Sequence, residues 1–232
     1  MFCLSGPGSA LSCEVFPPYD VSDGDYEIGL VDLSTYNSIP NIEKNVNDEF
    51  YYGEKSNDKD SEITISEGSY EIEDIEKYIK GWLGERASGF SLKANNNTLK
   101  TEILAEDWID FGKPNTIGPL LGFSGKIKKL KPHEKHESDS QVNIIKVDTI
   151  RVECNIVRGS FKNGLEGHVI HEFYPTVSPG YKIVQTPNPI IYLPINCRTI
   201  NTITVSLKDQ NGDRINLRDE ILTVRLHVRK VV

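Results

Sequence analysis

The sequence predicts an all-β fold, a β-sandwich or jelly roll with one or two short inserted helices, and three observations lead there. The last third is a succession of amphipathic strand candidates that ends in Leu222-Thr-Val-Arg-Leu-His-Val-Arg229. Side chains of an extended chain alternate, so Leu222, Val224, Leu226 and Val228 share one face while Thr223, Arg225, His227 and Arg229 share the other. Gly- and Pro-containing turns punctuate short strands throughout, and only one segment carries sustained helical periodicity. Many short strands with few helices are what a two-sheet β architecture needs. At 232 residues the chain has the length of a single large β domain, and residues 1–232 are expected to form one.

The elements follow in order. A short strand is expected over residues 12–16, broken by Pro17-Pro18 and the Asp/Gly cluster of residues 20–25, before a longer strand over 26–36. Residues 50–52 and 62–65 read as two short strands, and the polar stretch 53–61 between them reads as a projecting, mobile hairpin loop. Ile72, Ile75, Ile79 and Trp82 recur at helical spacing and form one apolar stripe, which places Trp82 in a core. Glu71, Glu73, Asp74 and Glu76 crowd the start of this helix and Lys77 and Lys80 lie near its end, an order that complements the helix dipole. Gly81 and Gly84 are its stop signals. Residues 90–94 and 98–104 flank Asn95-Asn96-Asn97 as a β-hairpin. Asn115-Thr-Ile-Gly-Pro-Leu-Leu-Gly-Phe123 is too interrupted for a strand and predicts a helical turn packing Ile117, Leu120 and Leu121 inward. Strands are then expected over 142–147, 149–157, 168–173, 181–184, 190–195, 202–208 and 221–229, with a tight turn at Asn211-Gly212.

Composition excludes several function classes. The formal net charge of −8 opposes sequence-independent binding to nucleic acid, which needs clustered cations. The one basic cluster, Lys126-Ile-Lys128-Lys129-Leu-Lys131, runs into Glu134, Glu137 and Asp139 and is expected to be a solvated loop. Cys3, Cys13, Cys154 and Cys197 are too few and too irregular for a disulfide framework, and Cys154 lies in phase with Ile150, Val152 and Ile156 as a buried apolar residue. No basic leader and no apolar run of membrane-spanning length are present.

Chemistry-bearing constellations are weak. In His133-Glu134-Lys135-His136-Glu137-Ser138-Asp139 the two histidines are three apart in a loop after Pro132, not one helical turn apart around a glutamate as a zinc protease requires. His168 and His171 would point to opposite faces of a strand, and His171 beside Glu172 lacks a nucleophile turn. Asp209-Gln-Asn211-Gly-Asp213 places its glycine too early for a calcium loop and fits a hairpin instead. No catalytic, cofactor-binding or metal-binding residue is therefore assigned, and no enzyme activity or cofactor is expected.

A set of segments resembles the small jelly-roll capsid proteins of Polinton/Maverick elements and adintovirus-like viruses, over most of the chain. They are Leu30-Val-Asp-Leu-Ser-Thr-Tyr-Asn-Ser-Ile-Pro-Asn-Ile42, Gly68-Ser-Tyr-Glu-Ile-Glu-Asp-Ile75, Asn95-Asn-Asn-Thr-Leu-Lys100, Ile117-Gly-Pro-Leu-Leu-Gly-Phe-Ser124, His136-Glu-Ser-Asp139, Ile150-Arg-Val-Glu-Cys-Asn-Ile156, Pro179-Gly-Tyr-Lys-Ile183 and Arg225-Leu-His227. The resemblance implies a single jelly roll and a virion structural protein: the penton or minor capsid subunit, forming homopentamers at icosahedral vertices beside a major double jelly-roll capsid protein, assembled inside the host cell. Length agrees, since the strands suffice for one eight-stranded sandwich and not two. No direct nucleic-acid contact and no membrane span are expected. Residues 1–18 read either as an N-terminal arm reaching under a neighbouring capsomer or as the first strand of a sheet. The alternative function is a carbohydrate- or receptor-binding β-sandwich, which needs an exposed aromatic platform, with Trp82 and Trp108 as its candidates.

Overall fold

The computed structural model describes residues 1–53 and 61–231. Three strands open the chain: β1 (Phe2–Pro7), β2 (Ala10–Asp20) and β3 (Tyr26–Tyr36). Next come β4 (Glu49–Gly53), β5 (Ser61–Thr64), the helix α1 (Ile72–Leu83) with a 3-10 stretch Gly84–Gly89, then β6 (Ser91–Asn95), β7 (Lys100–Leu104), β8 (Trp108–Asp110), β9 (Lys129–Leu130) and β10 (His136–Glu137). The remainder is β11 (Ile150–Cys154), β12 (Ser160–Lys162), β13 (Leu165–Gly167), β14 (Val169–Phe173), β15 (Lys182–Gln185), β16 (Tyr192–Pro194), β17 (Thr199–Lys208) and β18 (Ile221–Lys230).

The chain divides into two compact units, residues 1–39 with 147–232, and residues 40–146. The physical reason is that each unit closes a hydrophobic core of its own. A single chain-long pattern of apolar positions does not reveal which of them share a core.

The first unit is an all-β jelly roll. One sheet has the order β1-β18-β3-β15, with β16 also paired to β3, and the other β14-β11-β17-β2. All these pairs are antiparallel, and in each sheet late strands lie between early ones, the double Greek-key order of a jelly roll. The alternation expected of β18 holds: Leu222, Val224 and Leu226 are buried and Val228 is partly buried against the same core. β3 changes phase midway, because Arg225 pairs with Asp32 and Leu226 with Leu30, leaving Val31 as the extra residue of a bulge. That is why Ile28 and Leu30 face inward before it and Leu33 after it. From the opposite sheet Val152 and Cys154, paired with Leu207 and Val205, complete the core.

Of the two readings of residues 1–18 the strand one holds, since β1 pairs with β18 along its whole length and β2 pairs with β17. Pro17-Pro18 does not end its strand: Glu14 pairs with Thr202 and Tyr19 with Ile200, so residues 15–18 bulge out opposite Asn201 alone. Proline is tolerated there because β2 is the edge of its sheet, where a missing N–H breaks no ladder on the open side.

The second unit is inserted between β3 and β11 and has two small sheets, β5-β4-β8-β9 and β10-β7-β6. Ile72, Ile75 and Ile79 of α1 are buried as expected, but Trp82 is 66% exposed. At 100° per residue Trp82 and Leu83 lie about 50° on either side of the stripe's centre, and the last turn packs Leu83 against the core instead. The Asp74 carboxylate accepts the Glu71 N–H at 3.3 Å, closing the helix start. Phe50, Phe90, Phe111 and Phe123 form the aromatic centre, with Phe111 and Phe123 stacked at 5.0 Å. The helical turn at residues 115–123 is present: the Leu120 and Leu121 N–H groups both donate to the Ile117 carbonyl, and all three side chains are buried. The strand expected over 142–147 is absent. Its apolar residues serve packing instead, Val142 and Ile144 against the second core and Val147 in the first. Apart from Gly53 and Ser61, the loop expected over 53–61 lies outside the described residues.

Candidate interaction faces of the jelly roll

The outer face of the β1-β18-β3-β15 sheet carries the basic residues that close the sequence, and the structure supplies each with a partner. Arg225 Nε donates to Asp32 at 2.8 Å, Arg229 pairs with Glu27, and Lys230 donates to Asp23 at 2.8 Å. All three carboxylates come from β3 or the loop before it. Hydrogen bonding to Asp23 and Asp32 raises the Lys230 and Arg225 pKa values, and hydrogen bonds from Lys230 and Tyr26 lower that of Asp23. Solvent screens pairs this exposed, so they add little to stability. Their consequence is a face that neutralises itself.

His227 is met by a different group. Tyr192 Oη lies 2.8 Å from His227 Nδ1, and the Arg229 guanidinium lies 3.7 Å from the centre of the Tyr192 ring, a cation–π contact. Tyr192 pairs with Gly29, where an added Cβ would collide with Ile190 and crowd the Ile191 carbonyl and the Tyr192 ring. Glycine at 29 is thus what lets β16 lie this close to β3. Towards the β15 margin the same face exposes large side chains: Tyr36 is 47% exposed and Val184 58%, with the exposed Lys182 in register with Tyr36 and the exposed Tyr181 just before it.

The opposite sheet's outer face is also paired internally. Arg151 Nε donates to Glu172 at 2.6 Å and its Nη1 to the Asp209 and Gln210 carbonyls, while Lys208 pairs with Glu153 at 2.8 Å. Glu172 is therefore committed to Arg151 and does not orient His171. Burial pushes the His171 pKa down, opposed by a hydrogen bond with Gln185. His168 Nδ1 sits 2.6 Å from the Val157 carbonyl. Asp209 Oδ1 accepts the N–H groups of Asn211, Gly212 and Asp213 at 2.8–2.9 Å, so this carboxylate is filled by its own hairpin.

In the inserted unit the His133–Asp139 stretch is a clasp. His136 Nε2 lies 3.0 Å from the backbone N and O of Lys131, Ser138 Oγ accepts the Thr101 N–H, and Asp139 accepts the Lys126 N–H at 2.7 Å. The basic cluster before it is not simply a solvated loop: Lys129–Leu130 pairs with β8 and Leu130 is buried. Among the described residues no group of three or more His, Cys, Asp or Glu is placed to hold a metal ion. Burial pushes the Cys154 thiol up to about 11.

No protein-family model and no curated protein sequence matches the chain. Solved structures similar to the chain include the mavirus penton protein, at TM-score 0.48 and 10% identity over 97% of this chain and 92% of that one, and a chain of the Sputnik virophage, at TM-score 0.40 and 13% identity over 97% of both.

Sequence reasoning placed Arg225, His227 and Arg229 on the outer face and missed what meets them there. Asp32 and Glu27 were legible in principle, as the outward-phase acids of β3 opposite the basic residues of β18. The bulge at Val31 hides that phase, and nothing in the sequence signals Tyr192.

Proposed function

We propose that this chain is a virion structural protein of the penton or minor capsid type, residues 1–232 acting as one subunit, with five copies closing a ring at each icosahedral vertex. It acts without enzymatic chemistry, takes the major double jelly-roll capsid protein as its neighbour, makes no direct nucleic-acid contact, and assembles inside the host cell. The observation that carries the reading is the strand order β1-β18-β3-β15 against β14-β11-β17-β2, a rigid two-sheet body, in a chain whose segments resemble jelly-roll capsid proteins. A ring needs a heterologous interface, one patch meeting a different patch on the next copy. The exposed Tyr36, Tyr181 and Val184 at the β15 margin support such a contact, because aromatic side chains are enriched in the cores of protein interfaces. Native mass spectrometry of the full chain tests it. A species of five times the single-chain mass is expected, and a monomer at all concentrations would overturn the reading.

Trp82 favours a second reading. Its exposure provides the aromatic platform that a carbohydrate- or receptor-binding sandwich requires. Glycan-array binding by the monomer that disappears in Trp82→Ala would establish it, and an array without signal would dismiss it.

A further inference from the structure

A concave groove of about 820 Å³ lies at one end of the jelly roll, where the β2–β3 connection, the chain after β11 and the β16–β17 connection converge. Backbone hydrogen bonds tie these walls together: Val21 N to the Arg198 carbonyl at 2.9 Å, Arg158 N to that of Pro194 at 3.0 Å, Asn196 N to that of Ile156 at 2.9 Å, and Ile195 N to that of Tyr26 at 3.0 Å. The groove is therefore preformed, and a ligand would not have to order it.

Its charges are unusual for this molecule. The arginines on sheet strands of the jelly roll, Arg151, Arg225 and Arg229, are each held by a carboxylate. Arg158 and Arg198 both line the groove, both are exposed, and among the described residues neither guanidinium is bonded to a carboxylate. Glu27, on the same lining, is occupied by Arg229. That leaves two free guanidiniums beside the acceptors Asp25, Ser22 and Asn196.

We propose that this groove binds an acidic peptide segment of a partner protein. Guanidinium forks match carboxylates in two-point geometry. Asp25, Ser22 and Asn196 can accept the backbone N–H groups of an extended segment, whereas a phosphate ion at neutral pH offers the guanidiniums charge but brings few donors for them. The inference rests on the groove alone, so it stands or falls separately from ring formation.

The test uses the full chain and a fluorescent hexaglutamate peptide in a polarisation titration, with hexalysine and inorganic phosphate as comparison probes. Hexaglutamate is expected to bind, Arg158→Gln and Arg198→Gln each to weaken it by roughly tenfold, the scale of one charged hydrogen-bonding partner, and hexalysine not to bind. Binding by the wild-type chain should also fall steeply as salt rises, a readout that does not depend on how the variants fold. No hexaglutamate binding, binding indifferent to salt or to both substitutions, or displacement by phosphate at equal concentration would each overturn the proposal.

Discussion

The two units of this chain solve the problem of a β core differently. In the jelly roll, shorter strands flank β2, β3, β17 and β18, which are ten or eleven residues long, and nearly every inward position of β17 and β18 is Ile, Leu or Val. In the inserted unit the strands are two to five residues long, and the core is closed by one helix, a helical turn and four phenylalanines. Long alternation makes a structure that the local pattern specifies residue by residue. Short strands leave the specification to contacts between segments far apart in sequence.

The largest expected effect comes from truncating each core at its centre. Phe50→Ala and Leu226→Ala, both at residues no more than 1% exposed, should each cost about 3–5 kcal/mol or slightly less for the leucine, read by urea unfolding. Gly29→Ala should cost about 1–3 kcal/mol by forcing β16 away from β3; an unchanged unfolding midpoint would show that Tyr192 and Ile190 give way freely. Tyr192→Phe removes the hydroxyl that meets His227 and keeps the ring under Arg229. A loss of about 0.5–1.5 kcal/mol is expected, near the lower end because the site is partly exposed.

Acid should act on the inserted unit through Asp139. Burial raises its pKa, but backbone N–H groups, led by that of Lys126, outweigh this and hold it below the ordinary 3.8. The folded pKa is depressed, so the stabilisation is complete above 3.8 and is lost as pH falls through the folded value. Asp139→Asn should flatten the acid limb of stability measured against pH, and an unaltered limb would remove Asp139 from the account. The smallest effect is chemical: exposed Cys3 should alkylate first and Cys154, with its thiol at about 11, only on unfolding, as mass spectrometry of labelled protein would show.

The same contrast explains what the sequence revealed. β17 and β18 were legible because period-two patterning extends over many residues, β3 because turn residues bound a long run, and α1 because three isoleucines keep helical phase. Trp82 was misplaced because the stripe's direction becomes ambiguous in the last turn, where Leu83 competes for the core. The stretch at 142–147 alternates like a strand, yet its apolar residues divide between two cores, which no local pattern discloses. The division into two units was hidden for the same reason. Of the outer face, the basic residues could be read and their partners could not, since the Val31 bulge shifts the phase of β3 and Tyr192 arrives from a three-residue strand.

The central structural claim is that a jelly roll and an inserted unit each close a core of their own. Hydrogen exchange followed by mass spectrometry on Phe50→Ala tests it most directly. The account predicts that protection falls within residues 61–146 while the amides of β11, β17 and β18 keep theirs; an equal loss over those three strands would contradict it.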